Sequence, residues 1–190
     1  MRAMLGRMTR QYVSFSAEVN PITAQTLQGT CAELVNRGAT ELYLLLSTPG
    51  GNVMHGITVY NFLRGLPAKI LTHNIGAIDS IGNVIFLSGE ERFACQNSSF
   101  MFHGVAINAQ GPVALDEKLL RERLDSIKAD QRKIGAIIAE HTNLTPDEVA
   151  DLFLEAKTRD PDDALKNGIV QKICNVDVPP GTRVQQLVFK

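Results

Sequence analysis

Three short segments place residues of complementary chemistry along this chain. Ser80 sits in Gly76-Ala77-Ile78-Asp79-Ser80-Ile81-Gly82, a run of small and apolar residues ahead of an apolar stretch. Upstream lies the turn Ser47-Thr48-Pro49-Gly50-Gly51, and downstream Phe100-Met101-Phe102-His103-Gly104 carries a histidine. A serine hydroxyl is a poor nucleophile until a base takes its proton. Histidine most often serves as that base. Backbone N–H groups can hold the oxyanion that forms when a carbonyl is attacked. Gly51 then has a reason to be glycine, because its N–H must approach the substrate carbonyl with no side chain in the way. The N–H of Ile81, just after Ser80 at a predicted helix start, supplies the second donor.

Taken singly, each piece has an ordinary explanation. A serine at a helix start is usually a cap, Gly-Gly after a strand is usually a turn, and a histidine in an apolar run is usually packed. Their order, with each at a predicted strand end, is what points to a site. His103 is the best placed of the four histidines. His141 follows Glu140 near the end of a long helix, where it suits the helix dipole. His73 directly precedes the nucleophile segment, and His55 lies in the first turn after the glycine pair.

The elements that must position these residues read as an alternation. Tyr12 to Val19 alternates apolar and polar residues and predicts a strand, and Ile22 to Val35 predicts a helix ending at Gly38. Leu42 to Leu46 suits a strand buried on both faces. Val53 to Leu63 predicts a helix, Ala68 to Thr72 a strand, and Ile81 to Leu87 a helix. Short strands follow at Arg92 to Cys95 and Ser99 to Phe102. This rhythm predicts an α/β domain with parallel strands and right-handed crossovers, in which function gathers beyond the carboxyl ends of strands.

The second half changes character. Leu115 to Glu140 is a long helical pattern with sparse apolar marks, part of a helix expected over about 113–142. Thr145-Pro146-Asp147-Glu148 is a helix start with a capping box, leading into a helix to Ala156. Asp162 to Asn167 predicts a short helix, and Ile169 to Ile173 and Val184 to Phe189 predict closing strands.

The bulk composition is that of one soluble domain over 1–190. The hydrophobic fraction is 44% and the charged fraction 21%. A net charge of -1 gives no electrostatic case for nucleic acid or an anionic membrane. Cys31, Cys95 and Cys174 are scattered and form no C-x-x-C pair, so they read as reduced thiols in a cytoplasmic protein. The basic segment Met1 to Arg10 has no continuous apolar core and does not read as a signal peptide. No motif calls for a metal or a cofactor.

The motifs together resemble the proteolytic subunit of the Clp protease. They are Ser47-Thr48-Pro49-Gly50-Gly51, Gly76 to Gly82, Asn97-Ser98-Ser99-Phe100-Met101-Phe102-His103, Glu140-His141-Thr142, and Asp163-Ala164-Leu165-Lys166-Asn167-Gly168-Ile169-Val170. Each is weak alone; their collinear order over Tyr12 to Ile173 is specific. The resemblance implies a crotonase-like ββα superhelix with the long helix protruding as a handle between stacked rings. It implies a serine endopeptidase acting on peptides or unfolded proteins inside an oligomeric chamber. Ser80 would be the nucleophile, His103 the base, and Gly51 and Ile81 the oxyanion donors.

The chain departs from the family pattern in three places. Counting back from Gly168, the family's catalytic aspartate falls on Ala156. Asp160 is the favoured substitute, with Glu155, or no acid at all, as alternatives. Asp79 replaces the small residue usual before the serine; it can favour the following helix or oppose an oxyanion. Few residues precede the first strand, which leaves docking of an ATPase unfoldase in question. Two other functions stand beside the peptidase: a silent subunit partnering an active paralogue, and a crotonase-type acyl-CoA enzyme.

Overall fold

The computed structural model describes residues 9–106 and 116–189. Its first half follows the alternation expected from the sequence. Strand β1 (Arg10–Ser16) leads through helix α1 (Pro21–Asn36) to β2 (Glu41–Thr48), then through α2 (Val53–Gly65) to β3 (Lys69–Asp79). All three strands pair in parallel. Leu42, Leu44 and Leu46 on β2 pack with Val13, Phe15 and Ile78 into the main core. Tyr43 and Leu45, on the opposite face, pack with Tyr12 and Leu71. Burial on both faces explains why β2 reads as a continuous apolar run.

Strand β3 is longer than predicted. The sequence suggests an end at Thr72, but the strand continues to Asp79. The polar His73 and Asn74 obscure it, yet both are fully buried. The neighbours explain the continuation. Strand β4 (Glu91–Ala94) pairs with Leu71 to Asn74, and β5 (Ser99–Met101) pairs with Ala77 to Asp79. Two successive partners hold β3 extended up to Ser80. The helix after it, α3, is a short buried piece over Gly82–Phe86.

Helix α4 (Glu117–His141) buries only Ile134 and Ile138, near its carboxyl end. Leu120 and Leu124 on its distal half are about half exposed, at 51% and 49%. The predicted start near residue 113 lies outside the described residues. Helix α5 (Pro146–Glu155) has the expected capping box between Thr145 and Glu148. Ala156 then turns left-handed, with φ of 50°, into β6 (Thr158–Arg159). This strand runs antiparallel to β5 and is not apparent in the sequence. Helix α6 (Pro161–Lys166), β7 (Lys172–Ile173) and β8 (Val184–Gln186) complete the chain. The last two strands are shorter than predicted. Ile169 and Val170 are buried but lie outside the ladder.

Arg92 ties this second half to the sheet. Its buried guanidinium donates to the carbonyls of Gly89, His141, Gly168 and Ile169. The ends of α4 and α6 thus meet on one side chain of β4. A planar fork of five donors suits such a cluster of orphan carbonyls.

Candidate active site

Ser80 occupies the sharp turn between β3 and α3. Its φ is +56°, one of two positive values at non-glycine residues among those described. A left-handed backbone costs an L-residue roughly 1–2 kcal/mol, so surrounding contacts must hold it. The Ser80 N–H donates to the Met101 carbonyl at 2.8 Å. Asn83, 1% exposed, donates from Nδ2 to the carbonyls of Ser80 and Met101 at 3.0 and 2.9 Å. Asn83 therefore clamps the Ser80 turn to the end of β5, two residues before His103. Sequence alone does not single it out, because an asparagine in a short apolar helix gives no signal of its partners.

The glycine turn lies directly against Ser80. A Cβ added to Gly50 would stand 2.7 Å from both the Asp79 carbonyl and the Ser80 Cβ, and 3.3 Å from the Ile81 nitrogen. Gly51 has φ of +140°, and a Cβ there would collide with the Val19 carbonyl. Glycine is therefore required at both positions by sterics and by backbone angle. Val19 holds the turn from the other side, donating to Gly50 and accepting from Asn52. The N–H groups of Gly51 and Ile81 donate to no protein acceptor among the described residues.

Ser80, Ile81, Gly51 and His103 all line one cavity of about 240 Å³. Its remaining walls include Phe102, Ile134, Ile138 and Phe153. Helices α4 and α5 thus close over the serine with apolar side chains. His103 is half-buried, and its Nδ1 lies 2.7 Å from the Gly104 carbonyl oxygen. A carbonyl only accepts, so this bond puts the proton on Nδ1. The Nε2 lone pair is then free for a hydroxyl proton.

The acids fall elsewhere. Asp160 is exposed and caps α6, its Oδ1 accepting from the Asp163 amide at 2.8 Å. Glu155 pairs with Lys157 and Arg159. Neither hydrogen-bonds His103 among the described residues. The structure places Asp160 as a helix cap, because its short side chain and the Pro161 after it favour that role. Asp79 behaves differently. Burial raises its pKa above the ordinary carboxyl value, and the nearby His103 partly offsets the rise.

His73 and His141 are held by structural hydrogen bonds. His73 bonds the Tyr43 hydroxyl through Nδ1 at 2.9 Å and the Cys174 carbonyl through Nε2 at 3.0 Å. Cys31 is buried, which pushes its pKa up to about 12. No group of His, Cys, Asp and Glu among the described residues forms a metal site. No helix of the described residues is long and apolar enough to cross a membrane.

The family model for the Clp protease matches residues 3–177. The chain belongs to the Clp protease family. It is 26% identical over 181 residues to ATP-dependent Clp protease proteolytic subunit 2 of Treponema denticola, covering 90% of this chain and 86% of that one. It is 28% identical over 149 residues to proteolytic subunit 3 of Streptomyces coelicolor, covering 75% of this chain and 65% of that one. Among solved structures, a point mutant of ClpP1 from Listeria monocytogenes superposes with a TM-score of 0.75 at 19% identity. That match covers 87% of this chain and 92% of the other. The fold is the crotonase-like α/β arrangement of Clp proteolytic subunits, as the sequence motifs imply.

Proposed function

We propose that this Clp-family chain is a serine endopeptidase with Ser80 as nucleophile and His103 as general base. His103 Nε2 takes the Ser80 hydroxyl proton as Oγ bonds to the substrate carbonyl carbon. The oxyanion is held by the free N–H groups of Gly51 and Ile81. The proton then passes to the leaving amine as the peptide C–N bond breaks, and an acyl-serine remains. Water, deprotonated by His103, hydrolyses that ester and regenerates Ser80. The observation that carries this reading is a strained serine turn, two N–H groups and a histidine Nε2 without a protein partner among the described residues, all around one cavity. An active-site-directed fluorophosphonate should label Ser80 and fail on Ser80→Ala. No labelling of the assembled wild-type protein would sink the reading.

Substrate access and assembly belong to the same proposal. Peptides or unfolded segments are the substrates, and homo-oligomeric stacked rings enclose the sites. The half-exposed Leu120 and Leu124 on α4, and Leu154 at 84% exposure on α5, support a contact between copies. Sedimentation as a monomer at micromolar concentration would count against rings. One observation favours a second reading, a catalytically silent subunit beside an active paralogue: a methyl group at Ala156 stands where the family's aspartate is expected. Peptide hydrolysis by the purified homo-oligomer, lost in Ser80→Ala, eliminates that alternative.

A further inference from the structure

In the peptidase reading above, His103 needs an orienting acceptor and a counter-charge. A triad aspartate ordinarily supplies both: it fixes the imidazole tautomer and stabilises the imidazolium. Here the first task is met by the backbone. The Gly104 carbonyl at 2.7 Å holds the Nδ1 proton.

The second task has one carboxylate in position. In the parallel β3–β5 ladder, Asp79 lies directly opposite Met101, and residues opposite one another share a face. Burial alternates along the chain: Phe100 and Phe102 point into the core, while Met101 and His103 are half-buried. Ile78 is fully buried and Asp79 half-buried in the same alternation. Asp79 and Met101 therefore share a face, with Asp79 next to Ser80, and His103 lies two residues beyond Met101, half-buried as they are and near enough for its charge to act on the Asp79 carboxyl. Among the described residues that line the cavity, His103 is the one titratable side chain. Val53 of α2, Ile134 and Ile138 of α4 and Phe153 of α5 are the side chains that face it from the helices. Asp160 and Glu155 are engaged with their own partners.

We propose that the work of the missing triad aspartate is divided: the Gly104 carbonyl sets the tautomer of His103, and Asp79 is the positioning residue whose negative charge stabilises its imidazolium. This rests on the peptidase reading of Ser80 and His103. The same division accounts for an acid beside a serine that must pass through an oxyanion. The carboxylate faces the cation that forms in the same step, so the two opposing charges develop together. The lowering that nearby His103 exerts on the Asp79 carboxyl, against the larger rise from burial, agrees with this placement.

The test uses the full chain in its assembled form. Peptide hydrolysis is measured for wild type, Asp79→Asn and Asp79→Glu, and the Asp79 carboxyl is titrated by carbon NMR in wild type and in His103→Gln. The expected result is a fall in kcat of about 10–100-fold in Asp79→Asn, below the ~10⁴ lost with a complete triad acid. KM should stay within about twofold, and Asp79→Glu should recover part of kcat. The Asp79 carboxyl should titrate at higher pH in His103→Gln. A wild-type kcat in Asp79→Asn, or an unchanged Asp79 titration in His103→Gln, overturns the proposal. The titration needs no turnover. If no peptide is cleaved by any variant, the peptidase reading fails while the NMR result still decides the Asp79–His103 pair.

Discussion

The hydroxyl of Tyr60 lies 2.7 Å from Nε2 of His141, joining α2 to the last residue of α4. This bond and the Arg92 guanidinium both act on the same helix end. Tyr60→Phe removes one hydrogen bond and leaves His141 with an unpaired ring nitrogen. The expected cost is about 1 kcal/mol, read as a lower urea midpoint with an unchanged m-value.

Acid should destabilise the fold through two histidines. Burial, the largest cause in each case, lowers the pKa of His73 and His141 below the ordinary 6.5. As pH falls through 6.5, the unfolded chain takes up protons that the folded chain still refuses. Stability is therefore full above that value, declines below it, and levels off once the folded-state groups also protonate. Urea midpoints measured from pH 7.5 down to 5 should fall for wild type and fall less for His141→Gln.

Arg92→Lys keeps the charge but loses the fork that serves four carbonyls. An ammonium cannot reach all of them in one geometry. Several kcal/mol, on the order of 3, should be lost, with hydrogen exchange rising first at the ends of α4 and α6. Equal stability of Arg92→Lys and wild type would show that the carbonyls find other donors.

Ser80 can be separated into backbone and chemistry. At φ of +56° a glycine is unstrained. Ser80→Gly should therefore be about 1 kcal/mol more stable than Ser80→Ala, while neither hydrolyses peptide. Gly51→Ala is the converse. Its Cβ would strike the Val19 carbonyl at φ of +140°, so thermal stability and any turnover should fall together.

Asp160 offers a direct contrast between capping and acid roles. Asp160→Ala should cost about 1 kcal/mol, whereas Asp160→Asn, an equally good cap, should restore stability. A loss of kcat in a fully stable Asp160→Asn would reinstate the carboxylate as a partner of His103.

The parts of this fold that were legible in the sequence were local. The apolar run Leu42 to Leu46 and the alternation at Tyr12 mark strands whose burial follows from their own side chains. The Thr145 and Glu148 capping box announces α5 in four residues. What was hidden depends on partners distant in the chain. The continuation of β3 through His73 and Asn74 needs β4 and β5 beside it. The two-residue β6 exists only as an antiparallel partner of β5. At the site, Ser80, His103 and Gly51 carried signals in residue type and order. Gly104 acts through its carbonyl, which every residue has, and Asn83 through a reach that only the turn geometry reveals.

The anchoring of α4 at one end makes it a lever. Its 25 residues span about 37 Å, with Arg92 and Tyr60 gripping the His141 end and Ile134 and Ile138 seated nearby. A tilt of about 5° at that fulcrum would carry the far end through about 3 Å. The wall over Ser80 would move by only a small fraction of that. Run in reverse, a large displacement imposed on the outer turns arrives at the Ser80 cavity as a small one. The serine is thus geared down from any motion of the outer turns of α4.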